Sequence, residues 1–297
     1  MSKIEVPFLL LNFEMGNIIR APEYCEPTPP SFGKSKKWKI DIEGTTIEFR
    51  LPKHNHWNKL GKAKYPEKYY QIKDLHFRDT HDSDCINDEW QTVNLLSNNI
   101  WQFKGPFLTG MLAHIDASFM ILKHKVKKER TSYFHPRSFE NAIAEFITND
   151  YSKPKKKNQH VNIAPVDWKA YNDLPVNAAR FKVISNDSIT NYRETEFFIF
   201  TLDDNHLAYL VFNHNRSDFN ARTKAELDKK IGAKHIIESV NDIVNSVKIT
   251  LSPEAIAQKE KALDGLKETN VTTSFPPLKW DRDNEAINSN QQEIPAE

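Results

Sequence analysis

Residues 196–213 read EFFIFTLDDNHLAYLVFN, and this stretch decides the fold. Phe198 and Phe200 alternate with Phe197 and Ile199, so both faces of the strand are apolar. Such a strand is predicted to lie inside a sheet that is covered on both sides. Asp203-Asp204-Asn205-His206 supplies turn chemistry, and Leu207 to Asn213 returns as the antiparallel partner.

Working outward, the same pattern recurs upstream. Trp38, Ile40 and Ile42 alternate with polar residues, as do Ile47, Phe49 and Leu51 after Glu43-Gly44. Period two on both sides of a glycine turn predicts a hairpin with one buried face, closed by Pro52. Strand-like stretches follow over 90–126, broken at Gly105-Pro106. Phe139, Ala142, Ile143, Phe146 and Ile147 form one helical stripe, with Ser138 as cap or Pro136 in the first turn. Downstream, Ala179, Phe181 and Val183 suggest another strand, and a helix over 223–231 stops at Gly232. Ile236, Ile237, Val240, Ile243, Val244 and Val247 make the cleanest amphipathic stripe in the chain. Ser252-Pro253-Glu254 opens a last helix. The expected class is α+β, with antiparallel sheets and amphipathic helices packed on one face. Hairpin followed by helix occurs twice, which suggests two similar lobes, 1–150 and 161–266, with a flexible tail over 267–297.

Composition removes several function classes. The chain has 297 residues, with 41 Lys plus Arg against 40 Asp plus Glu, a net charge of +1. That balance argues against a dedicated nucleic-acid or membrane-surface binder, although the basic runs 123–130 and 153–157 leave nucleic acid as a third reading. Two cysteines, Cys25 and Cys85, make no disulfide framework and suit free thiols in a cytoplasm. The apolar run Val6–Leu11 is too short for a signal peptide, and no stretch approaches the roughly 18 apolar residues of a membrane span. Glycine numbers only 8, and no phosphate-cradling loop or nucleophile elbow is present. No catalytic residue and no cofactor is therefore assigned.

The irregular stretch 53–89 carries the candidate chemistry. Interfaces are anchored by Trp, Tyr and Arg, and this stretch supplies Trp57, Tyr65, Tyr69, Tyr70 and Arg78. It also holds His54, His56, His76, His81 and Asp82. On an extended chain His54 and His56 project to one side and could give two metal ligands, the basis for an alternative reading as a metal-dependent hydrolase. The acidic residues at 79–89 do not fit a calcium-binding loop, which needs glycine at its sixth position. His135 before the helix at 138 could be a neutral base, or a cap. His214, Ser217 and Asp218 resemble a triad by composition alone, because triad members are assembled by the fold.

The paired strands 196–202 and 207–213, with the helix ending Ser239-Val240-Asn241-Asp242-Ile243-Val244-Asn245-Ser246-Val247, resemble the PsbP, Mog1 and DcrB class of small α+β folds. That resemblance covers about a quarter of the chain and implies a curved antiparallel sheet crossed by a helix, in proteins that mostly bind partners. Gln102–Phe107 and Phe134–Glu140 are similar to uncharacterised proteobacterial proteins related to immunity or accessory proteins of secretion-system toxins. Neither resemblance transfers residue roles. Together these readings lead to the expectation of a cytoplasmic, non-catalytic bacterial protein that binds another protein, such as a cognate toxin or effector.

Overall fold

A computed structural model describes residues 24–55, 63–80, 89–106, 110–126, 132–152, 162–184, 191–217, 221 and 224–280. The strands are β1 (Lys36–Ile42), β2 (Thr45–Leu51), β3 (Tyr69–Tyr70), β4 (Arg78–Asp79), β5 (Trp90–Lys104), β6 (Met111–His124), β7 (Ile163–Ala170), β8 (Ala178–Ile184), β9 (Asn191–Thr201), β10 (His206–Ser217) and β11 (Lys248–Thr250). The helices are α1 (Pro136–Tyr151), α2 (Lys224–Asp228), α3 (Lys234–Asn245) and α4 (Pro253–Leu263). The fold is α+β, with the antiparallel sheets and amphipathic helices the sequence predicts.

The strands form two sheets. Seven antiparallel strands run in the order β4-β5-β6-β10-β9-β8-β7, and a four-stranded sheet runs β11-β2-β1-β3. β1 and β3 pair in parallel. The deciding hairpin sits at the heart of the larger sheet: Leu207 faces Thr201 and Ala208 faces Phe200 across it. β6 and β10 lie on opposite sides of residues 151–160 in sequence, yet they pair from Ala113↔Arg216 to Lys123↔His206. The stretches 1–150 and 161–266 thus contribute strands to one continuous sheet.

Each face of that sheet has its own cover, as the two apolar faces of β9 require. On one face, Phe119, Phe198, Phe200, Leu210 and Phe212 pack against Ile40, Ile47 and Phe49 of the small sheet and against Ile236, Val240 and Ile243 of α3. On the opposite face, Trp90, Phe181, Phe197, Ile199 and Tyr209 pack against Phe139, Ile143, Phe146 and Ile147 of α1. Each helix lays its stripe on a single sheet face, and the two faces are opposite ones.

Local chemistry sets the element ends. His135 caps α1, its Nδ1 accepting from the Arg137 N–H at 3.2 Å, and Pro136 occupies the first turn. Ser252 caps α4 by accepting from the Ala255 N–H at 3.1 Å. Gly44 takes φ +85° in the first hairpin turn, a region that favours glycine. After α4 the chain crosses β7 and α1. Val271 is buried there, the Thr272 N–H and hydroxyl both donate to Glu140 Oε1, and the Leu278 N–H donates to the Ala164 carbonyl. Residues 267–280 of the predicted tail are therefore docked on the body through at least these bonds, and 281–297 lie outside the described residues. No helix among the described residues is long and apolar enough to cross a membrane.

Candidate partner-binding groove and a buried charge cluster

The outer edge of β5 explains the irregular segment that precedes it. An exposed strand edge invites unwanted pairing unless something covers it. Along β5 the cover comes in short pieces. Thr28 and Lys104 exchange backbone hydrogen bonds of 2.7 and 3.1 Å. The Ile100 N–H donates to His54 Nδ1 at 3.1 Å, and the Gln102 N–H donates to Asn55 Oδ1 at 2.7 Å. Lys64 and Ser97 exchange backbone bonds, and Lys64 Nζ donates to the Asn94 carbonyl at 2.6 Å. Finally β4 pairs Arg78 with Thr92 and Asp79 with Gln91. The side chains of His54 and Asn55 thus do the work of a neighbouring strand.

Between the Lys64 and Arg78 attachments the segment arches away from β5 and leaves an open groove of about 810 Å³. Of the expected anchors, Tyr69, Tyr70 and Arg78 line it, and His76 joins them. Tyr70 is half-buried, its hydroxyl accepting from the Glu67 N–H at 2.6 Å, and burial raises its pKa. Tyr69 and Tyr65 present 52% and 44% of their surface to solvent. Tyr65 stacks on Trp38 with ring centroids 4.9 Å apart, and Lys36 Nζ lies 3.8 Å from the Trp38 centroid. Trp57, His56, His81 and Asp82 lie outside the described residues.

Of the expected metal ligands, His54 and His76 fall among the described residues. His54 uses its Nδ1 on β5, and His76 faces the groove. Among the described residues no group of three His, Cys, Asp or Glu side chains converges on a common point.

A second concentration of chemistry lies on the α3 side of the large sheet, where three adjacent strands carry charges in register. Lys182 of β8 stands opposite Glu196 of β9, and Glu194 of β9 stands opposite His214 of β10. Arg180 holds Glu196 Oε1 through Nε and Asn241 Oδ1 through Nη1. Lys182 Nζ sits 3.0 Å from Asp167 and 3.7 Å from Glu194. Arg216 donates to the Ile231 carbonyl and to Asp228, which Lys224 also engages. Asp228 is held below the usual carboxylate range, these hydrogen bonds outweighing the opposing effect of partial burial.

His214 is the unusual member. It is 6% exposed, and its Nε2 lies 3.3 Å from Oε2 of Glu196, itself 2% exposed. The distance alone would suggest an ion pair. Burial, however, drives the imidazole pKa down to about 4, and the neighbouring Lys182, Arg180 and Arg216 oppose a further positive charge. At neutral pH the contact is therefore one of neutral imidazole with carboxylate. Neither Nε2 of His214 nor Oε2 of Glu196 makes a hydrogen bond of good geometry.

The sequence reading met His214 only as part of a composition. It missed Arg180, Lys182, Glu194 and Glu196. The available signal was the placing of charges at alternate positions on three neighbouring strands, which becomes legible once their register is known.

No family model matches the chain, and no curated protein matches it. Among solved structures, the chain has a likeness to LpqN of Mycobacterium tuberculosis, described as involved in cell envelope biogenesis. That likeness has 10% identity and a TM-score of 0.24, and it covers 60% of this chain and 94% of LpqN. At that level it carries no argument about fold or function.

Proposed function

We propose that the protein is a non-catalytic, cytoplasmic binding protein that recognises another protein through the groove between residues 63–80 and β5. One observation carries this reading: the segment is tied to β5 on both sides of the groove, yet it leaves Tyr65 and Tyr69 about half exposed. Aromatic rings on a fixed frame give large contact area at low entropic cost. The mixed charges of Lys64, Glu67, Asp74 and Arg78 around them suit a polar rim. The resemblance of Gln102–Phe107 and Phe134–Glu140 to immunity-type proteins favours a secretion-system toxin or effector as the partner.

The test compares pull-downs by the wild type and by a Tyr65→Ala, Tyr69→Ala, Arg78→Ala variant with an unchanged thermal transition. A partner retained by the wild type and lost by the variant supports the reading. A partner recovered equally by both refutes it.

A further inference from the structure

The groove leaves the charge cluster on the opposite end of the sheet without a role, and that cluster lines a cavity of its own. The cavity holds about 470 Å³, in the range of small-ligand sites. Among the described residues its charged lining is Lys182, Arg216 and Lys224 with Asp167, Glu194 and Asp228. Val166, Ile184 and Ile236 supply an apolar wall, and Tyr24 and Ile237 stand exposed at its rim. His214 also lines it, more than nine-tenths buried, with its Nε2 lacking a hydrogen bond of good geometry.

Each charged class on this wall meets its opposite within the protein, so a ligand of one sign would disturb as many contacts as it made. A lone carboxylate would confront Glu194, Asp167 and Asp228. A lone amine would confront Lys182, Arg216 and Lys224. A ligand that carries both charges can exchange with both sets. The apolar wall accommodates a hydrocarbon side chain. We infer that this cavity binds a small zwitterion of the amino-acid type bearing an apolar side chain.

The probe is L-leucine, set against 4-methylpentanoate, which lacks the ammonium, and 3-methylbutylamine, which lacks the carboxylate. Titrations are followed by the amide signals of Ile236 and Ile237 and the ring signals of His214. Saturable shifts with leucine are expected, with each single-charge analogue about tenfold weaker or more. Lys182→Met is expected to weaken leucine by a similar factor. Ile237→Glu, at an exposed rim position, is expected to do so without threatening the fold. Tyr69→Ala in the groove leaves leucine binding unchanged, which separates this site from the partner surface. The inference is overturned if leucine gives no saturable shift, if either analogue binds as tightly, or if Ile237→Glu binds leucine as the wild type does.

Discussion

Acidification should destabilise this protein through His214 in a way that a single substitution removes. In the unfolded chain an imidazole takes its proton below about pH 6.5. In the folded protein burial among Arg180, Lys182 and Arg216 delays that step to about pH 4. Between these values the unfolded state binds more protons, so stability falls as pH falls, and above the window His214 has no effect. That delay corresponds to a ceiling of about 3 kcal/mol, most of which is already lost at about pH 4.5. His214→Gln keeps a side-chain amide near Glu196 and does not titrate. Urea unfolding of both proteins at about pH 7.5 and about pH 4.5 isolates the term, because the other histidines and carboxylates titrate in both. The stability difference between them should move by about 2–3 kcal/mol in favour of the variant on acidification. If that difference stays constant, His214 titrates as in the unfolded chain. If it moves in favour of the wild type, the imidazole is charged and paired with Glu196, and the argument from burial fails.

Other consequences follow from individual contacts. His54→Ala leaves the Ile100 N–H without its acceptor and should cost about 1–3 kcal/mol in urea unfolding, with faster amide exchange at Ile100. Ser252→Ala removes the cap of α4 and should cost about 1 kcal/mol. Gly44→Ala should cost about 1–2 kcal/mol in thermal unfolding, because φ there is +85° and the new Cβ would lie 3.1 Å from that of Ser252. Val271→Ser places a hydroxyl in a buried apolar position, should cost about 2 kcal/mol, and should speed amide exchange at Leu278 as the segment loosens.

Which parts of this molecule its sequence reveals depends on the range of the forces involved. Hairpins and helices are written locally. The alternation around Gly44, the double-sided apolar run at Phe197–Phe200 and the stripe from Ile236 to Val247 each place an element within a few residues of where it lies. The order of strands is not local. Nothing in residues 113–123 announces that they pair with 206–216 beyond 151–160, because pairing at that separation is set by which apolar faces must be covered together. His54 shows the same limit at a single residue. Its type and its neighbour His56 suit a metal site, whereas its actual partner is a backbone amide 46 positions away. The exposure of Tyr69 and Arg78 was legible because they stand in a polar, irregular stretch. The charges at 180–196 were not, because they interrupt strands that otherwise read as ordinary core.

The proposed function requires the groove beside β5 to be a contact surface. A photo-crosslinking amino acid placed at position 69 in living cells tests it directly, with position 256 on α4, also exposed, as the control. A covalent adduct to another protein from position 69, and none from position 256, is the predicted result. An adduct confined to position 256, or none from positions 65, 69 and 78 alike, would contradict it.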